Sequence, residues 1–170
     1  PRGKAAQALF MMAAFFTAWS LIDLVLWASD RSDIIMFFWS ILIHFEFLVF
    51  VASFYFVHAL VKNSWPSWKS ELILLLMVIP LIVFAHTSLN LEYFDFTNCW
   101  REAAEGVLWQ SYLPVIELAI ALWILIFTLR EIRRDKSRIK ELTLASAGTT
   151  AFLVSFSLGN ILGSLETDWE

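Results

Sequence analysis

The sequence predicts an all-α fold, a polytopic membrane helical bundle with five transmembrane helices, and three observations predict it. The first is composition. Of 170 residues 59% are hydrophobic and only 16% charged, with a mean hydropathy of +0.70. A soluble domain is about 25% charged, so this chain lacks the polar side chains to cover a water-facing surface. The second is a set of five apolar runs, each near the roughly 20 residues that a spanning helix needs and far longer than a barrel strand of about 10. The third is the distribution of charge between those runs. Ten of the 12 basic residues fall in the connections of one side. The opposite side holds Arg31 and Arg101 among Asp30, Asp33, Glu92, Asp95, Glu102, Glu105, Glu166, Asp168 and Glu170. The positive-inside rule makes the basic side cytoplasmic.

The runs are taken in chain order. The first covers about 5–28, after Arg2 and Lys4, and closes on Trp27, a residue that favours the headgroup level. The second covers about 34–61 and is followed by Lys62 and Lys69. The third, about 72–89, is the shortest and holds Pro80, which removes one backbone donor and frees the carbonyl of Leu76. The fourth covers about 107–129, with Pro114 expected to kink it just before Glu117. Trp65, Trp68, Trp100, Trp109 and Trp169 are expected at span ends, like Trp27, whereas Trp19, Trp39 and Trp123 lie deeper. Between the fourth and fifth runs Arg130, Arg133, Arg134, Lys136, Arg138 and Lys140 form a basic connector without Gly or Pro, read as a helical extension near anionic headgroups. The fifth covers about 143–165 and carries Ala151, Ser155, Gly159 and Gly163 at intervals of four, a helix-packing stripe that lets another helix approach closely. The chain starts inside and ends outside, which suggests a single domain over 1–170 that belongs to a larger chain. The partners this implies are the lipid bilayer and either a second copy or other membrane subunits. A net charge of −4 gives no case for nucleic acid.

Polar groups inside the spans are costly, and they usually face the bundle interior or a water-filled cavity. The candidates for ligand binding are Asp23, His44, Glu46, His86, Asn90, Glu117 and Asn160, supplied by five helices at a depth in the outer half of the bilayer or near its middle. They would line an outward-facing pocket for a small ligand, an ion or a proton, or would only bond helix to helix. His44 and Glu46 point about 200° apart on their helix and cannot chelate one metal as a local pair. A metal site would need His44 or Glu46 with His86 or Glu117 from other helices, and a haem would need two facing histidines at one depth; His44 with His86 is conceivable, but their depths differ by several residues, so the cofactor is unassigned and metal or haem is disfavoured. The single cysteine, Cys99, excludes an internal disulfide. The outer connection from Asn90 to Gly106, with Tyr93, Phe94, Phe96 and Trp100, reads as a cap or a lid. No mid-span Lys, P-loop, HExxH, GxSxG or filter-like Gly-rich loop occurs, so no enzyme site is expected in this segment.

Several features in order carry a family resemblance. The first span contains Phe16-Thr17-Ala18-Trp19. The third contains Pro80 and is followed by His86, Thr87 and Asn90. The outer connection ends in Cys99-Trp100-Arg101-Glu102-Ala103-Ala104-Glu105-Gly106, with Tyr112 six residues on, and a basic connector then leads to a Gly-containing span. In this the chain resembles the N-terminal seven-helix sensor region of bacterial membrane sensor histidine kinases. The resemblance implies that the five spans correspond to helices two to six, an assignment that the inside start and outside end fit. It implies a bacterial cytoplasmic membrane, and a two-component signalling role with a cytoplasmic kinase as output. None of the family's ATP-binding or phospho-acceptor positions exists here, and the family's fold does not fix a ligand. The expected function is therefore signal input: a small ligand or a membrane state is received and relayed to a cytoplasmic output domain. The alternatives are an accessory or structural subunit of a larger membrane complex, and a proton- or ion-coupled transporter.

Overall fold

The computed structural model of the chain describes residues 3–94, 103–134 and 136–166, with side chains up to residue 159 in the last helix. Five α-helices build it: α1 (Gly3–Ala28), α2 (Ser32–Lys62), α3 (Trp68–Val83), α4 (Leu113–Arg134) and α5 (Ile139–Glu166). A π-helical turn, Leu108–Tyr112, leads into α4, and a 3-10 turn, Lys136–Arg138, leads into α5. A two-stranded antiparallel hairpin, β1 (Leu91–Phe94) with β2 (Ala103–Glu105), lies between α3 and α4 and pairs Leu91 with Glu105 and Phe94 with Ala103.

Local chemistry sets the helix ends. The polar run Ser29-Asp30-Arg31 interrupts the apolar sequence between α1 and α2, and Asp33 stands in the first turn of α2, where the helix dipole favours a negative charge. Arg31 bridges to that aspartate at 2.6 Å. At the other end of α2, Asn63 takes the left-handed conformation (φ 52°) and its N–H bonds the Ala59 carbonyl at 2.9 Å. Asn tolerates that conformation better than most residues, which suits it to the end of a helix. Ser67 caps α3 by accepting from the N–H of Ser70.

α2 is the central element, and α1, α3, α4 and α5 all pack against it. Its side chains Ile35, Leu42, Ile43, Phe47, Phe50 and Phe54 form one apolar core with Ile22 and Leu26 of α1, Ile116, Ile120 and Ile124 of α4, and Leu153 of α5. Aromatic rings tie α1 to α5. Trp19 meets Phe156 edge-on at 4.8 Å between centroids, and Phe16 meets Phe152 at 5.5 Å. On the basic side Phe54 packs on Trp123 at 4.5 Å, and His58 stacks on Phe127 at 5.1 Å.

The outer surface of the bundle is apolar. Leu21 and Leu24 on α1, Leu75, Leu76 and Ile82 on α3, and Val115, Leu118 and Leu129 on α4 are all exposed. So continuous an apolar surface suits hydrocarbon rather than water. Among the described residues four helices are long and apolar enough to cross a membrane: Gly3–Ala28, Ser32–Lys62, Leu108–Arg134 and Ile139–Gly159. With its 16 residues α3 measures about 24 Å at 1.5 Å per residue, short of a hydrocarbon core of about 30 Å.

Several local expectations are revised. The third helix runs over Trp68–Val83 rather than 72–89, because Ser67 starts it early and turns begin at Phe84, whose N–H bonds the Pro80 carbonyl. Pro114 stands in the first turn of α4, directly after the π-helical turn, rather than in the helix interior. The Leu113 N–H reaches back to the Leu108 carbonyl, which closes the π-helical turn, and a proline is tolerated in the first helical turn that follows. Trp109 is buried in the core rather than set at the interface. The basic connector is tighter than a free extension. Lys62 bridges to Glu131 at 2.6 Å, and Arg138 donates to the Leu60 carbonyl at 3.3 Å, so the end of α2 is fastened to the α4–α5 turn.

Candidate functional site

The most buried ionisable side chains in the middle of the bundle are two glutamates. Glu46 stands near the centre of α2 and is 1% exposed; Glu117 stands just inside the fourth helix, past the π-helical turn, and is 3% exposed. Their carboxyl groups lie next to each other, close enough to interact directly. Two further helices complete the cluster. From α1 the Trp19 indole Nε1 donates to Glu46 Oε2 at 3.3 Å, and from α5 the Ser157 hydroxyl donates to Glu117 Oε2 at 2.7 Å. Glu117 Oε1 is buried and has no hydrogen-bond partner among the described residues. A buried polar atom of this kind is uncommon, and it matters because each unmade hydrogen bond carries a full desolvation cost.

The local sequence explains the placement. Glu117 shares one face of α4 with the core residues Leu113, Ile120 and Ile124, at helical spacing. The π-helical turn just upstream inserts one extra residue before this face is set, and turns of this type recur at functional sites. Tyr112, inside that turn, donates its hydroxyl to the Met77 carbonyl of α3 at 2.9 Å, close to the backbone that Pro80 leaves without a donor. Glu46 shares its face of α2 with the buried residues Leu42, Ile43 and Phe50, each about one helical turn away.

A second polar cluster lies nearer the outer side. Asn90 is fully buried, and its Nδ2 donates to the Ala85 carbonyl at 2.6 Å and the Ser40 carbonyl at 3.1 Å, while its Oδ1 has no partner among the described residues. The Ser40 hydroxyl donates to the Phe37 carbonyl at 2.7 Å and lies 3.5 Å from His86 Nδ1. This cluster fastens the α3–β1 turn to α2. Gly106 passes directly beneath that turn. Its N–H bonds the Asn90 carbonyl at 2.7 Å, and a Cβ at this position would stand 2.4 Å from the Leu89 carbonyl oxygen.

The six candidates whose side chains are described therefore do not form one pocket. Glu46 and Glu117 come together, and His86 and Asn90 flank Ser40 at the second cluster. His44 is half-buried with Nδ1 3.2 Å from its own Ile41 carbonyl, away from Glu46. Asp23 lines a separate groove of about 520 Å³ on the outer face of α1, with Phe16, Thr17, Ser20, Leu21, Leu24 and Trp27. The side chain of Asn160 lies outside the described residues, as do Phe96, Cys99 and Trp100 of the expected lid and Trp169. In the packing stripe Ala151 and Ser155 are exposed, and a Cβ at Gly159 would touch nothing within 4 Å, so this part faces away from the bundle; Gly163 lies outside the residues with described side chains. The sequence pattern does not single out Trp19, Ser40 or Ser157 as site residues. For Trp19 the signal is its depth, well inside the first run. Ser40 and Ser157 carry no such signal, because hydroxyls are common in membrane helices. Among the described residues no group of three or more His, Cys, Asp or Glu side chains is arranged to hold a metal ion.

Comparisons of the chain with protein-family models, with characterised proteins and with solved structures give no match.

Proposed function

We propose that the chain is a membrane-embedded signal-input domain with five spans, in which α3 and the turn after it cross as the third. The basic connections put the Lys62 and Arg138 side in the cytoplasm, and a bacterial cytoplasmic membrane follows from the resemblance to sensor histidine kinases. The observation that supports this reading best is the Glu46–Glu117 cluster. Four helices each give it one side chain, so any change in the bonding of the carboxyl pair is felt by α1, α2, α4 and α5 together. The relay is a shift of population between two packings of the bundle, driven by whatever binds one packing more tightly than the other. Fastening of the α2 end to the basic turn, through Lys62–Glu131 and Arg138–Leu60, gives the cytoplasmic side a means of reading the shift.

The experiment is a distance measurement between spin labels at the cytoplasmic ends of α2 and α4, in lipid nanodiscs, for the native protein and Glu117→Gln. The expected result is a changed distance distribution in the variant at normal expression and helicity. Superimposable distributions would remove the support for relay through the cluster. A second reading, an accessory subunit of a larger membrane complex, is favoured by the outward-facing Ala151, Ser155 and Gly159. Close helix packing uses such stripes, and recovery at fixed stoichiometry within a purified complex would support it.

A further inference from the structure

We propose that the turn between α4 and α5 binds an anionic phospholipid, with Arg130 and Arg133 holding the headgroup phosphate and the acyl chains lying along the exposed apolar face of α4. The inference stands apart from the glutamate cluster and does not rest on the signal-input reading. The connector from Arg130 to Glu141 carries six basic residues and three acidic ones. The structure divides its basic residues into two sets. One set is engaged within the protein. Arg134 lies 3.8 Å from the Glu131 carboxylate, which Lys62 of α2 bridges at 2.6 Å. Arg138 bridges to Glu141 at 3.0 Å and donates to the Leu60 carbonyl. The other set is Arg130, Arg133, Lys136 and Lys140, all exposed and without an ion pair among the described residues. The side chain of Asp135, the third acid of the connector, lies outside the described residues.

Helical spacing sets the two arginines above a surface that hydrocarbon covers. Leu122, Ile126, Leu129 and Arg133 follow one another at intervals of four, three and four, and Arg130 is four residues from Ile126, so all five share one face of α4. Every one of them is exposed. Glu131 falls on the other face, one turn from the buried Thr128, and its bridge to Lys62 turns it toward α2 and away from the arginines. α5 repeats the arrangement, with exposed Lys140 one turn from exposed Leu144. In both helices the first exposed charge therefore stands one turn, about 5.4 Å, beyond the last exposed apolar side chain, which is the step from acyl chains to headgroups. An anion at this height over an apolar face is a phosphate joined to acyl chains, and this commits the site to a lipid rather than to free phosphate. The guanidinium fork matches phosphate oxygens two at a time. A zwitterionic headgroup would bring its own ammonium to a turn that is already positive, whereas an anionic one does not. Attraction of basic residues to an anionic surface grows with each residue, so the paired arginines act together.

The test uses the full chain in phosphatidylcholine nanodiscs that contain a small share of photoactivatable phosphatidylglycerol or, in parallel, of the matching phosphatidylcholine probe. Attachment is quantified and mapped by peptide mass spectrometry, and circular dichroism checks the helicity of each variant. The expected result for the native chain is attachment of the phosphatidylglycerol probe to α4 between Leu122 and Leu129, in excess over the phosphatidylcholine probe. That attachment is expected to fall about fivefold in Arg133→Gln and about fivefold again when Arg130→Gln is added. Lys4→Gln removes an exposed charge from α1 and is expected to leave it unchanged. Equal attachment of the two probes to the native chain overturns the proposal, and this comparison decides it even for a variant that loses helicity. Attachment that maps away from α4 overturns it as well. So does an equal loss in Lys4→Gln, which would reduce the preference to the total charge of the chain. Displacement of the probe by excess inorganic phosphate would assign the arginines to a free anion and overturn the lipid site.

Discussion

The indole nitrogen of Trp19 on α1 lies 3.3 Å from the Oε2 atom of Glu46 on α2, at the middle of the bundle. The same ring packs edge-on against Phe156 of α5, one residue from the Ser157 that donates to Glu117. One aromatic residue thus links both halves of the carboxyl cluster. Trp19→Phe keeps much of the ring contact and removes the donor. The expected cost is about 1–2 kcal/mol, the range for a hydrogen bond to a buried acceptor, read as a lower midpoint in thermal unfolding followed by circular dichroism. An unchanged midpoint would mean that the bond contributes nothing to holding α1.

Gly106 is the second place where a small change is expected to matter. The backbone there runs so close to the Ser88 and Leu89 carbonyls that a methyl group cannot be accommodated without moving the turn. Gly106→Ala is expected to destabilise the chain by about 1–3 kcal/mol, as overpacking does. It should also increase amide exchange at Leu108, whose N–H bonds the Leu89 carbonyl. Native-like exchange in this variant would contradict the close approach.

Asn90 fastens the same turn to α2 through the Ala85 and Ser40 carbonyls. Asn90→Leu removes both donations and leaves the buried Ala85 carbonyl without this partner, at about 1–3 kcal/mol for an unsatisfied group, while the Ser40 carbonyl keeps its bond in the α2 ladder. The measurement is limited proteolysis between α3 and α4, which is expected to accelerate. An unaltered cleavage rate would show that the turn is held by other contacts.

Lys62→Ala tests the cytoplasmic fastening. Its partner Glu131 is 17% exposed, so the bridge is partly shielded from water. The expected loss of stability is below about 1 kcal/mol, and the difference from the native chain is expected to shrink as salt screens the bridge. A loss that does not vary with salt would assign the effect to the packing of the lysine stem.

Much of the architecture is readable in the sequence because membrane burial imposes strong patterns. The apolar runs overlap α1, α2, α4 and α5, although α4 ends at Arg134 and α5 starts at Ile139, inside the basic connector, and the capping Ser67 and the turns after Pro80 explain why the third run lies elsewhere than its apolar length suggests. Glu46 and Glu117 can be singled out because an ionisable side chain in a span needs a reason. That they meet each other, while His44 and Asp23 do not join them, depends on helix rotation and on which helices are neighbours. Neither is encoded in a list of depths. The π-helical turn at Leu108–Tyr112 sets the rotation of α4, and Pro114 is a visible clue to a disturbance there but not to its form. Trp109 is hard to place because a tryptophan near a span end suits the interface and a core edge equally well.

The most direct test of the cluster is a double-mutant cycle on Glu46 and Glu117, with unfolding free energies measured for the native chain, Glu46→Gln, Glu117→Gln and the double variant in the same lipid. If the two carboxyl groups act as one unit, the cycle gives a coupling of about 1 kcal/mol or more. Free energies that add within about 0.5 kcal/mol, the behaviour of independent sites, would contradict relay through the cluster and the account built on it.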